Sequence, residues 1–160
     1  MTTTQGSNKP PGVAGAVLGD QDLRGVLEWA TTIAVVGAST HPDKESYKIP
    51  AILIDAGFDV IPVHPSASDI HGRTAHPTLA DIPRHVDIVD VFRPADEAPG
   101  IAKQAVAIGA DVLWLQLGIT SEDAERIATE AGLGYIEDRC IGATARLLGI
   151  RKIPTNSVDS

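Results

Sequence analysis

The sequence predicts an α/β fold, a doubly wound parallel sheet of five strands in a single domain, and three observations carry that expectation. Short apolar runs alternate with segments of helical period, the pattern of a parallel sheet whose crossovers are helices. The runs themselves are apolar with few breaks, as strands covered on both faces must be. With 160 residues, 43% of them hydrophobic, the chain can bury one core but not two.

Residues 1–19 are rich in Thr, Gly, Pro and Ser with no hydrophobic period, and are expected to form a flexible N-terminal arm ahead of a domain spanning 20–149. A helical pattern over 20–32 precedes the first strand, "TIAVVGA" (32–38). Helix 45–57, "ESYKIPAILIDAG", leads to the second strand, "DVIPVHP" (59–65). The third strand, "VDIVDVF" (86–92), is followed by helix 95–110, and the fourth, "DVLWLQLG" (111–118), by helix 121–132. Ser121 stands where an N-cap belongs, with Glu122 and Asp123 in an acidic first turn, and Gly57, Gly109 and Gly132 fall at helix C-termini. The fifth strand, "LGYIED" (133–138), and helix 141–149 complete the domain, leaving 150–160 as a tail from which Ile150 and Ile153 can pack back. Right-handed crossovers then place the first strand centrally, in the expected order 3-2-1-4-5.

Composition excludes several function classes. A formal net charge of -8 without a Lys or Arg run argues against nucleic acid as a partner. No run of 18 apolar residues and no secretory signal is visible, so neither a membrane partner nor export is expected and the assignment is cytoplasmic. Cys140 is the one cysteine, which rules out an intrachain disulfide and a multi-cysteine zinc site. The five histidines, 41, 64, 71, 76 and 85, include no HxxxH pair, so no metal site is expected. No Gly-x-Ser-x-Gly elbow and no Ser, His and acid set is present, so no catalytic residue is assigned and nothing identifies an enzyme. The pattern sets no oligomeric state.

Ligands of open parallel sheets bind outside the carboxyl ends of the strands, at the switch in strand order. The segment "VVGASTHPDKES" lies there. Gly37 lets the chain turn, and the amides that follow, with the N-terminus of helix 45–57, suit an anion; the alternative is that Gly37 only closes a strand-to-helix turn. A dinucleotide fingerprint would place glycines two and five residues later, where Ser39 and Pro42 stand. The hydroxyls of Ser39, Thr40 and Ser46 and the ammonium of Lys44 are the groups available instead. The end of the second strand, "VHPSAS", lacks the acid that grips a ribose diol, which disfavours NAD. Trp114 is expected in the core, Cys140 as a small buried residue, Gln116 as either a ligand contact or a buried hydrogen-bonding group, and Asp90 in a structural hydrogen bond to a neighbouring loop.

The segments "VVGAS", "KESYKIP", "GFDVIPVHP", "IHG" with "PTLADIP", "VDIVDVFR", "LWLQLGI" and "AGLGYIEDRCI" follow one another over roughly 20–149. In that order and spacing the chain resembles the small CoA-binding proteins related to the N-terminal domain of the succinyl-CoA synthetase alpha subunit. The resemblance implies a Rossmann-like fold that binds coenzyme A or an acyl-CoA as a carrier, sensor or accessory protein, without the synthetase's phosphohistidine and ATP-grasp parts. It places the ligand contacts on Gly37, Ala38, Ser39, Lys44, Ser46, Val63, His64, Pro65, Phe92 and Arg93, with Gln116 and Gly118 nearby. The amides of Gly37 to Ser39 would face the pyrophosphate, Lys44 and Arg93 would meet phosphates, and Val63 and Pro65 would form an apolar shelf. One departure is His64, where the family's "PVNP" turn has asparagine. The alternatives are an NAD(P)-binding enzyme or redox sensor, and an enzyme acting on acyl-CoA.

Overall fold

The computed structural model describes residues 9–153. A 3-10 turn at Asp20–Asp22 runs into α1 (Leu23–Trp29), followed by β1 (Thr32–Val36), α2 (Glu45–Asp55) and β2 (Asp59–Val63). The connection out of β2 carries no α-helix: it holds a small antiparallel hairpin, β3 (Asp69–Ile70) with β4 (Arg73–Thr74), and a 3-10 turn at Leu79–Asp81. The rest alternates, with β5 (Ile88–Val91), α3 (Ala98–Ala107), β6 (Val112–Leu115), α4 (Glu122–Glu130), β7 (Gly134–Ile136) and α5 (Ile141–Leu147). Ser121 caps α4 as expected, its hydroxyl accepting from the Ala124 amide at 3.1 Å.

The five long strands form one parallel sheet with helices on both faces. Their order, β2-β1-β5-β6-β7, corrects the expected 3-2-1-4-5: the third long strand inserts beside β1 instead of outside β2. Counted along the chain the order is 2-1-3-4-5, the other common doubly wound arrangement. The reversal therefore falls between β1 and β5, and their C-terminal ends flank the crevice.

Two core layers follow from the pleat. On one face, Ile33, Val35, Ile88 and Trp114 pack under Val26 and Leu27 of α1, Ile49 and Leu53 of α2, and Ile141 and Ala145 of α5. On the other, Ala34, Val89, Val91, Leu113 and Leu115 meet alanines of α3 and α4, at 98, 102, 105, 124 and 128, whose small side chains let two helices approach one sheet face closely. Trp114 is fully buried, as expected, and its indole N–H donates to the Arg139 carbonyl at 2.9 Å.

The flexible-arm expectation is corrected for residues 9–19. Val13 and Leu18 are buried, and residues 15–18 run parallel to β7, where the Leu18 amide donates to Tyr135 O at 2.8 Å and the Tyr135 amide to Ala16 O at 2.9 Å. Such a segment is held by the same backbone pairing that holds a strand. Ile150 also packs into the core while Ile153 is exposed. The remaining parts of the expected arm and tail, 1–8 and 154–160, lie outside the described residues.

Candidate functional site

Between the C-terminal ends of β1 and β5 lies a cleft of about 620 Å³, within the range of small-molecule sites. Ten of the twelve residues singled out in the sequence line it. Gly37, Ala38 and Ser39 come from the turn after β1, and Lys44 and Ser46 from the start of α2. Val63, His64 and Pro65 come from the end of β2, and Phe92 and Arg93 from the end of β5. Gln116 and Gly118 do not line it, because they follow β6, which the observed order sets one strand away from β1.

Gly37 has a φ of +90° and stands against the third strand's exit: a Cβ there would lie 2.9 Å from Arg93 Cδ and 3.3 Å from the Phe92 carbonyl carbon. Both the left-handed backbone and the close approach require a residue without a side chain. The turn after it corrects the expectation that the amides of Gly37 to Ser39 all face a pyrophosphate, because two of them are spent within the protein. The Gly37 amide donates to Val63 O at 3.4 Å and the Ser39 amide to Ser46 O at 3.1 Å. The second bond has a cause in α2. Pro50 stands four residues after Ser46 and has no N–H, so the Ser46 carbonyl lacks its helical donor and is taken by Ser39. A proline inside the helix thus anchors the loop that further glycines would otherwise have shaped.

What remains for a ligand is specific. The amides of Ala38, Thr40, Glu45 and Ser46 donate to nothing among the described residues, and the last two open α2, where the helix dipole favours an anion. Ser39 is buried, and its hydroxyl oxygen accepts from the His41 amide at 2.9 Å, which leaves its hydrogen free to donate. Lys44 is exposed and in no ion pair among the described residues. His64 Nδ1 accepts from the amides of Ser66 at 3.1 Å and Ala67 at 2.9 Å, a turn that an asparagine carboxamide oxygen can close equally well. The ring hydrogen is thereby placed on Nε2.

Sequence reasoning missed the far wall. Glu97, Ile101 and Gln104 line the cleft from the 3-10 turn at Ala95–Glu97 and from α3, and Pro77 and Thr78 line it from the segment between β4 and the 3-10 turn at Leu79–Asp81. The first three recur at helical spacing after Arg93, a signal present in the sequence. Glu97 takes the Arg93 fork with both oxygens, 2.9 Å from Nε and 2.8 Å from one terminal nitrogen. That hydrogen-bonded pair holds the guanidinium above its ordinary pKa and the Glu97 carboxyl below its own. The other terminal nitrogen of Arg93 remains for a second anion.

The other flagged residues have structural surroundings. Gln116 is buried and its carboxamide oxygen accepts from the Ile141 amide at 3.0 Å, so it satisfies the first turn of α5. Gly118 donates its amide to Asp138 Oδ1 at 2.7 Å. Cys140 is half-buried and acts as the α5 N-cap, its Sγ accepting from the Ala143 amide at 3.4 Å. The expectation for Asp90 is corrected: it is fully buried between Val35 and Trp114 in the sheet, both carboxyl oxygens lack a hydrogen-bond partner among the described residues, and burial pushes its pKa well above the ordinary value. No neighbouring loop gives it a hydrogen bond among the described residues. No helix among the described residues is long and apolar enough to cross a membrane.

Comparison with known proteins falls on the same segments. A family model described as a CoA binding domain matches residues 31–146. The Bacillus subtilis (strain 168) protein YneT is 36% identical over 120 residues, covering 75% of this chain and 89% of that protein. A solved structure from Pyrococcus horikoshii OT3 is 31% identical with a TM-score of 0.78, covering 91% of this chain and 99% of that one. The ADP-forming acetate–CoA ligase II of Archaeoglobus fulgidus is 29% identical over 107 residues, 66% of this chain; the chain spans only 16% of that longer protein. The family match begins just ahead of β1 and ends within α5, so it takes in every strand that shapes the cleft, and this chain belongs to the CoA-binding domain family.

Proposed function

We propose that the cleft between β1 and β5 binds coenzyme A or an acyl-CoA, and that the chain works as a carrier, sensor or accessory protein without a catalytic residue of its own. The observation that carries this reading is the convergence, within the family-matched segment, of amides and an ammonium that have no partner among the described residues, and of an apolar shelf, on one cleft. The amides of Ala38, Thr40, Glu45 and Ser46 and the Ser39 hydroxyl form a donor set for a diphosphate, and Lys44 adds charge. Val63, Pro65 and Phe92 offer apolar surface to adenine or the pantetheine arm. Arg93 meets a phosphate through the nitrogen that Glu97 leaves open.

Ligand-induced thermal shift tests the reading. A ligand at about 100 times its Kd stabilises by roughly 2.7 kcal/mol, which for a chain of this size is a rise of about 5–10 °C. CoA and acetyl-CoA should raise the midpoint and NADH should not. A shift with NADH alone would overturn the proposal in favour of a nicotinamide dinucleotide, and time-dependent loss of acetyl-CoA at stoichiometric protein would replace the carrier with an acyl-CoA enzyme.

A further inference from the structure

The end of the sheet opposite the cleft gathers His85, in the loop before β5, with Asp87 and Asp111, which directly precede β5 and β6. One ligand atom from each lies within 4.8 Å of the others. We infer that these three side chains form a site for one divalent transition-metal cation, independent of whatever occupies the cleft.

The argument rests on how the carboxylates are held. Asp87 Oδ2 accepts from the amides of Thr31 at 2.8 Å and Thr32 at 3.0 Å, which anchors that oxygen to the start of β1. Asp111, itself buried, has Oδ1 at 3.4 Å from Lys9 Nζ. Each acid is thus fastened by one oxygen and turns the other toward the imidazole. Such outer contacts orient the ligands of metal sites. His85 Nε2 lies 2.6 Å from Asp111 Oδ2 and 3.5 Å from Asp87 Oδ1.

Nε2 carries at most one hydrogen, and in this arrangement the hydrogen serves Asp111. Asp87 Oδ1 then faces the same point with no hydrogen bond among the described residues. A dication satisfies all three atoms together. Ligands about 2.0–2.2 Å from a metal stand roughly 3–3.5 Å from one another at tetrahedral or octahedral angles, the scale of the 3.5 Å between Nε2 and Asp87 Oδ1; the 2.6 Å to Asp111 Oδ2 is a hydrogen bond, so the cation displaces that proton and the two atoms part by roughly half an ångström. One imidazole and two carboxylates are an N/O set that suits Zn²⁺, Co²⁺ or Mn²⁺ better than the all-oxygen shell of Ca²⁺. The half-exposed His85 side chain leaves a path from solvent and room for water as the remaining ligand. The HxxxH spacing sought in the sequence does not find this group, because β5 and its crossover through α3 separate Asp111 from the other two.

Calorimetric titration of the untagged, chelator-stripped full chain with ZnCl₂ tests the site, with CoCl₂ titrated in parallel and followed by its visible absorption. The expected result is one saturable Zn²⁺ per chain, a higher unfolding midpoint with metal, and a Co²⁺ band. His85→Ala should weaken Zn²⁺ at least about tenfold and abolish the band. His85→Gln keeps a donor for Asp111, so it should fold as the parent does and show the same loss of metal. Cys140→Ser should change neither. Absence of 1:1 binding in the parent overturns the inference, and so does parental affinity in both His85 variants or loss of affinity in Cys140→Ser.

Discussion

Replacing Gly37 with alanine tests the reason the turn after β1 has its shape. Two penalties apply. An L-residue at a φ of +90° pays for the left-handed region, about 1–2 kcal/mol. The new methyl would also lie 2.9 Å from Arg93 Cδ and 3.3 Å from the Phe92 carbonyl carbon. The arginine stem can swing away; the Phe92 backbone is held by its amide's 2.9 Å bond to Val36 O and cannot move without loosening β1 from β5. Overpacking of that kind costs roughly 1–3 kcal/mol more. Gly109 supplies the control, with a φ of +73° and nothing within 4 Å of its would-be Cβ. Gly109→Ala should therefore lose only the backbone part, about 1–2 kcal/mol, and Gly37→Ala the sum, about 2–5 kcal/mol. Urea unfolding measures both, and CoA titration of the two variants adds the functional arm: displacement of Arg93 should weaken CoA in the Gly37 variant and leave the Gly109 variant unchanged. Equal losses of stability, together with undiminished CoA binding by Gly37→Ala, would refute the close-approach argument.

Two further outcomes follow from buried polar groups. Asp90 has a folded pKa raised by burial, so the folded chain keeps a proton that the unfolded chain releases near pH 4. Its contribution is fully present below that pH and is lost as pH rises toward the folded value; urea midpoints at several pH values should fall across that window, and Asp90→Asn should flatten the slope. Gln116→Ala leaves the Ile141 amide without its acceptor inside the protein, a loss of about 1–3 kcal/mol measurable by urea unfolding. Because Gln116 does not line the cleft, the CoA affinity of that variant should stay within about twofold, and a tenfold drop would place it in the site after all.

The strands and helices were legible because apolar runs and helical periods are local. Their order was not. Right-handed crossovers are satisfied whether the third long strand lies outside β2 or beside β1, so chirality alone does not choose. A clue was present in the connection from β2 to β5, where no amphipathic helix occurs: an outward continuation past β2 needs a covering helix, whereas here a hairpin and a short turn return along β2 and bury Leu79 on the face that α3 covers. The order decides the site. With β5 beside β1, Phe92 and Arg93 face Gly37; with β6 one strand farther off, Gln116 and Gly118 fall outside the cleft. Glu97 and Thr78 escaped notice because their roles depend on which strand ends become neighbours. The Ser39 amide was misassigned for a subtler reason, since its partner exists only because Pro50, eleven residues on, removes a helical donor.

The pairing of residues 15–18 with β7 has a consequence for how copies of this chain coexist at high concentration. A sheet ends in two rows of unsatisfied amides and carbonyls, each a template on which another molecule can extend the ladder into a fibre. Here the margin at β7 is covered by the chain's own leading segment, and the margin at β2 is met by His76, whose amide donates to Pro62 O at 3.0 Å and whose carbonyl accepts from His64 at 3.0 Å. The β7 end of the ladder is closed from within and the β2 end is bridged at its last residues, so the stretch ahead of α1 guards one open margin as much as it serves the core.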